Sequence, residues 1–219
     1  MEAADLLNYY ARRATEYEAV YAKPERQHDL QRLRALVADI MAEHHVLEVA
    51  CGTGYWTAVL AQAAKFVLAT DHSMEVLEAA QRKALPSQKV RFVRADAYHL
   101  PLSSGQFTAV FAGFWWSHVP RQQLPVFLSQ LTLAAGAGAT VICVDNRFVA
   151  GNSTPIDCTD ACGNTYQLRR LRNDSQQKVL KNFPSEAELQ AAVEPFGTQI
   201  CFTELQYYWL LAYVTRAGD

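Results

Sequence analysis

The sequence predicts a one-domain α/β fold: a mainly parallel sheet, helices on both of its faces, and an antiparallel hairpin at its C-terminal end. Three observations carry this. Short β-branched and aromatic runs alternate with segments of helical apolar spacing between Val46 and Val144. A glycine-rich turn, "ACGTG", joins the first of these runs to the helical segment after it. The last two β-rich runs, Gln199–Glu204 and Tyr207–Thr215, are separated by only two residues, too few for a parallel crossover, so they form a hairpin.

In chain order, Leu6–Tyr21 and Glu25–Ala42 have helical spacing, with Pro24 suited to the start of the second. Strands are expected at Val46–Ala50, Phe66–Thr70, Val90–Arg94, Thr108–Ala112 and Thr140–Val144, and helices at Trp56–Ala64, Ser73–Leu85 and Gln122–Ala134. Arg147–Asn164 is polar and rich in Gly, Pro, Asn and Asp, which reads as a loop. Tyr166–Leu171 and Gln177–Lys181 form a strand pair around the turn signal "RNDS". The sequence "SEAE" is a capping box that starts a helix at Ser185 and runs to Val193, with Glu188 at its third position.

Composition narrows the function. A chain of 219 residues, 50% hydrophobic, has material for one substantial core. Its formal charge of -2 and the lack of a compact Lys/Arg block argue against a nucleic-acid partner. No apolar run reaches the roughly 18 residues a membrane span needs, and the N-terminus lacks a signal-like apolar core. A cytoplasmic protein without a membrane partner is expected. The five cysteines are odd in number and scattered, which suits a reducing compartment. Cys158 and Cys162 lack a second ligand pair at zinc spacing, so no metal is expected.

The stretch "HVLEVACGTGYWTAVL" delivers Gly52 and Gly54 into a helix start, presenting backbone N–H groups at the carboxyl end of a parallel strand. Asp71 ends the next strand, where an acid accepts hydrogen bonds from both ribose hydroxyls of an adenosine; its other role would be a helix cap, which Ser73 can fill instead. Asp96 ends the third strand, beside where an adenine would lie. Glu48, inside the first strand, is costly to bury unless backbone amides or a ligand's ammonium pair with it, which points to a zwitterionic ligand. Thr57 at the third fingerprint position, that same carboxylate and the terminal hairpin argue against a nicotinamide dinucleotide.

The strand and turn "VLEVACGTGYWT", the strand-ending Asp71, "ADAYHLPL" and the terminal hairpin resemble class I S-adenosylmethionine (SAM)-dependent methyltransferases of the small-molecule type, from about Tyr9 to the C-terminus. The resemblance implies a Rossmann-like sheet, SAM as cofactor, and one methyltransferase domain over residues 1–219, in which 1–44 form a helical lid and 147–183 an acceptor-side insertion. It assigns Glu48, Ala50, Cys51, Gly52 and Gly54 to the methionine part and sugar, with Trp56 beside them. Asp71 takes the ribose, His72 and Met74 flank the adenine, Asp96 and Ala97 lie at its edge, and the run Phe111–Phe114, Phe111 first, passes the cofactor. Tyr10, Arg13 and Tyr17, three and four apart on one helix face, belong to the lid.

The family does not share an acceptor site, so side chains must define it. In "FWWSHVP", Trp115 and His118 follow the fourth strand; His118 either acts on an acceptor oxygen as base or hydrogen-bond partner, or is structural. The N-terminal opening, "HVP" and "RRLRNDSQQKVLKNFPSEAEL" are further similar to the phosphonate O-methyltransferases of dehydrophos biosynthesis. That likeness implies Arg169 and Lys181 as partners of an anionic acceptor, while the loop Arg147–Asn164 departs from it. The expected function is methylation of a small anionic molecule at phosphonate or carboxylate oxygen, by a monomer or homodimer. The rivals are N- or S-methylation of a small metabolite, and a catalytically silent SAM-binding protein.

Overall fold

A computed structural model describes residues 17–100, 105–170 and 176–216. Two 3-10 turns, Tyr17–Ala22 and Pro24–Arg26, lead into α1, Gln27–Ile40. The rest of the first expected helix lies outside the described residues. The chain then alternates β1 (His45–Val49), α2 (Tyr55–Ala63), β2 (Phe66–Asp71), α3 (Met74–Gln81), β3 (Val90–Arg94), β4 (Ala109–Gly113), α4 (Leu124–Ala135) and β5 (Thr140–Asn146). The remainder is β6 (Cys158–Thr159), β7 (Thr165–Arg170), β8 (Gln176–Leu180), α5 (Glu186–Val193) and the hairpin β9 (Gly197–Glu204) and β10 (Tyr208–Thr215).

The main sheet has seven strands in the order β3-β2-β1-β4-β5-β10-β9. The first five are parallel, and β10 runs antiparallel to both β5 and β9, as the two-residue spacer required. Strand residues alternate between two cores. Val46, Phe111, Ile142 and Val144 face α1 and α2, while Leu47, Val110, Val141 and Cys143 face α4 and α5. Both faces are therefore covered, which is why these strands read as continuous apolar runs.

Helix ends follow local chemistry. Ser73 caps α3 by accepting from Val76 N at 3.4 Å, and Ser185 and Glu188 close the expected capping box of α5. Helix α3 stops at Gln81 rather than Leu85. Leu85 precedes Pro86, which disfavours helical backbone there. The insertion folds as a separate three-stranded antiparallel sheet, β6-β7-β8, whose β7–β8 pair is the expected one; the two-residue β6 lies within the expected loop, where it pairs with β7.

Candidate active site

Strand order reverses at β1, whose neighbours are β2 on one side and β4 on the other. The connections leaving their carboxyl ends diverge to opposite faces and open a crevice there. A cleft of about 530 Å³, counting its open mouth, occupies that place. Ala50, Gly52 and Thr53 after β1, Asp71, Ser73 and Val76 after β2, and Gly113, Phe114, Trp115 and His118 at the end of β4 line it.

The backbone is strained at both strand ends. Ala50 and Phe114 have φ of 56° and 59°, left-handed values that cost a non-glycine residue about 1–2 kcal/mol. Both sit in the cleft wall, where the chain must turn sharply to leave room. Gly113 is needed between Phe111 and the cleft, since an added Cβ would lie 2.8 Å from Phe111 Cε1 and 3.2 Å from Trp56 Cδ1. Gly54, at φ 78°, starts α2 so close to α3 that its Cβ would meet that of Ala80 at 3.0 Å.

Asp71 organises the turn. Its Oδ2 accepts from Gly52 N at 2.9 Å and its Oδ1 from Ser73 N at 3.0 Å. Burial raises its pKa, and the N–H donors of Ser73 and Gly52 oppose the rise. A carboxylate has about four acceptor positions, so capacity for two further donors remains. Asp71→Ala is therefore expected to weaken SAM and S-adenosylhomocysteine binding by about 1.5–3 kcal/mol, measured by calorimetry on the folded variant. Unchanged affinity would remove Asp71 from the site.

Glu48 lies on the α1 and α2 face of β1, 1% exposed, and its Oε2 has no hydrogen-bond partner among the described residues. Burial pushes its pKa up to about 8; the neighbouring Thr57 hydroxyl, itself without a partner in hydrogen-bond geometry, offsets only part of this. A buried acceptor held this way is costly until a donor reaches it. Trp115 presents the opposite case: its Nε1–H is buried in the cleft wall with no acceptor among the described residues.

His118 is 4% exposed and donates Nδ1–H to Leu180 O at 2.7 Å, so the other nitrogen, Nε2, carries the lone pair. Its pKa lies well below the usual 6.5, through burial first and the Lys181 ammonium second, against the pull of Asp145. Lys181 is equally buried, with Nζ 3.0 Å from Asp145 Oδ1 and 2.5 Å from Ser117 Oγ. Arg169 is half-buried, hydrogen-bonds Gln167 Oε1 at 3.3 Å, and lies near enough to depress the pKa of both His118 and Lys181.

Of the residues expected from sequence, the cleft brings together Ala50, Gly52, Asp71, Trp115 and His118. Cys51 is buried behind the turn, and Gly54 is the cap of α2. Trp56 and Phe111 do not line the cleft: Phe111, on the central strand β4, is core, and Trp56 of α2 packs on it at 5.6 Å beneath Gly113. His72 and the exposed Met74 follow β2 outside the cleft lining. Asp96, which accepts from Tyr98 N at 2.9 Å, and the buried Ala97 follow β3. Tyr10 and Arg13 lie outside the described residues, as does the side chain of Tyr17. Next to it, Glu18 accepts from Thr53 Oγ1 at 2.9 Å and pairs with Lys83, tying the N-terminal segment to the glycine turn. Gly113 and Phe114 fall in the run Phe111–Phe114 expected to pass the cofactor, whereas Thr53, Val76, Glu18 and Asp145 carry no local sequence signal of a place in the site.

A sequence family described as a methyltransferase domain matches residues 46–136. Over nearly the whole chain the fold is similar to DhpI: its complex with S-adenosylhomocysteine has a TM-score of 0.76 at 28% identity, covering 98% of this chain and 97% of that one. Its complex with SAM and HEP has a TM-score of 0.77 at 26% identity, covering 97% and 99%. The chain carries a class I SAM-dependent methyltransferase domain. The demethylmenaquinone methyltransferase of Lactiplantibacillus plantarum is 34% identical over 46% of this chain and 44% of its own length. That of Clavibacter sepedonicus is 36% identical over 47% and 42%. The chain thus spans under half the length of these curated relatives. SAM is the cofactor of this methyltransferase domain, and the cleft fits it: a buried carboxyl at Glu48 whose Oε2 has no partner among the described residues, for an ammonium, a glycine turn, and Asp71 with spare acceptor capacity. Among the described residues no helix is long and apolar enough to cross a membrane.

Proposed function

We propose that the protein methylates a small anionic molecule at phosphonate or carboxylate oxygen. The observation that carries this is the set of donors gathered around His118: the unpartnered Trp115 Nε1–H in the cleft wall and, outside the lining itself, the buried Lys181 ammonium and the Arg169 guanidinium within electrostatic range. Such an environment suits an oxygen that is negative and hydrogen-bond accepting, and disfavours an ammonium. Likeness to DhpI over almost the full chain supports it, because that likeness extends past residue 136 into the part holding Arg169 and Lys181.

Bound SAM supplies a methyl group on a sulfonium. The chain's own residues align the acceptor with it, which is most of what an in-line transfer needs. Lys181 Nζ has three hydrogens, of which Asp145 and Ser117 engage two, and in this reading the third serves the acceptor oxygen. His118, neutral at neutral pH, positions an ionised acceptor or takes a proton from one that arrives protonated. Trp115 donates its indole N–H to the same molecule.

Incubating the protein with SAM and a panel of phosphonates, carboxylates, amines and thiols, with mass-spectrometric detection of the methylated product, tests this. Methylation confined to amines or thiols would sink it. Trp115→Phe keeps the ring and deletes the N–H. It is expected to raise the acceptor KM by about fivefold to tenfold, near 1–1.5 kcal/mol, with SAM affinity unchanged.

A further inference from the structure

Asp145, at the end of β5, is fully buried and uses both of its oxygens. Oδ1 meets Lys181 Nζ at 3.0 Å and accepts from Asn146 N at 2.7 Å, while Oδ2 accepts from Ser117 N at 2.9 Å. Ser117 is the middle residue of the short turn Trp116–His118. The three residues at the end of β8 grip that turn from the other side. Leu180 O accepts from His118 Nδ1, Lys181 Nζ reaches Ser117 Oγ, and Asn182 N donates to Ser117 O at 2.8 Å. Asn182 Nδ2 adds a bond to Val119 O at 3.1 Å.

We propose that Asp145 is a positioning residue for the acceptor site, holding Lys181 charged inside the protein and setting the place of His118 relative to the β7–β8 sheet. This rests on the reading of Lys181 as a partner of an anionic acceptor. An ammonium as enclosed as that of Lys181 sheds its proton unless a carboxylate compensates it, and a neutral amine would neither attract an anion nor offer it a charged donor. Asp145 is the only carboxylate within ion-pair distance of it among the described residues. Burial depresses the Lys181 pKa, Asp145 counters this, and Arg169 and Arg26 add to the depression. His118, Cys143 and the Ser117 hydroxyl are the other titratable or polar groups facing the pair. Because one carboxylate holds both Lys181 and the turn of His118, an acceptor seated on Lys181 is in register with the histidine.

The test uses Asp145→Asn, Lys181→Met and the double variant Asp145→Leu with Lys181→Met, which replaces the pair by apolar groups of similar size. Binding of methylphosphonate and of acetate to the protein saturated with S-adenosylhomocysteine is measured by calorimetry at pH 7 and 9, beside melting curves and 15N NMR titration of the Lys181 Nζ. Asp145→Asn should weaken methylphosphonate binding by about tenfold at pH 7 and further at pH 9, as Lys181 loses its proton. The double variant should regain much of the wild-type melting temperature while its binding stays lost. Recovery of binding in the double variant, or wild-type binding by Asp145→Asn at both pH values, would overturn the proposal and leave the pair a structural staple. If the wild-type protein binds neither anion, the anionic-acceptor reading fails instead, and the Nζ titration decides alone: an unchanged Lys181 in Asp145→Asn refutes the positioning role.

Discussion

Binding of SAM near pH 7 is expected to release about one proton, and Glu48→Gln is expected to abolish that release. Glu48 is buried with an unpartnered oxygen, and burial pushes its pKa up to about 8, so the protein without SAM is expected to hold it mainly as the neutral acid at pH 7. A cofactor ammonium placed against it favours the carboxylate, and the proton leaves. Calorimetry in two buffers of different ionisation enthalpy reads the count. The same group shapes stability. Its folded pKa lies above its unfolded value, so the folded state binds the proton more tightly. The contribution is fully present below the ordinary carboxylate range near 4.5 and is lost as pH rises toward about 8. At about 1.4 kcal/mol per pH unit, the swing approaches 4–5 kcal/mol, which Glu48→Gln should remove from the pH dependence of unfolding. No proton release, together with parallel stability curves for the two proteins, would mean that Glu48 is already ionised and paired in the empty site.

His118→Ala is expected to lower kcat by about 10²-fold with SAM affinity nearly unchanged if the histidine takes a proton, and by less if it only positions an ionised acceptor. The structure sharpens the pH signature. Burial and Lys181 keep the ring neutral far below pH 6.5, and the Leu180 carbonyl holds its proton on Nδ1. The acid limb of the wild-type rate profile should therefore lie well below the usual histidine range, or be absent. His118→Gln separates the two roles, since an amide can position an acceptor but cannot serve as a base. A wild-type rate for His118→Ala across the pH range would make the residue purely structural.

Much of the scaffold was legible because its signals are local. β-branched runs separated by helical periods require a parallel sheet, a two-residue spacer requires a hairpin, and "SEAE" caps its own helix. The carboxylate inside the apolar run "VLEV" stands out by breaking the pattern, and it is the buried Glu48, whose Oε2 has no partner among the described residues. Illegible features were those depending on what a side chain meets across the fold. Trp56 and Phe111 read as cofactor neighbours because they flank the right turns, but Phe111 is buried by the central position of β4 and Trp56, from α2, packs onto it beneath Gly113.

By itself the sequence determined the order of the strands' chemistry: a glycine turn, an acid after the second strand, an aromatic pair and histidine after the fourth, and a basic hairpin before the last helix. Tertiary structure alone decided which charges face one another. Lys181 reads from sequence as one of several cations on a hairpin, yet it is enclosed against Asp145, 36 positions away, and shares that carboxylate with the turn of His118. Periodicity reports which face of an element is buried, since apolar burial is non-directional and repeats with the backbone. Pairing of two buried charges is a single directional contact between distant segments, and it leaves no repeating trace in the chain.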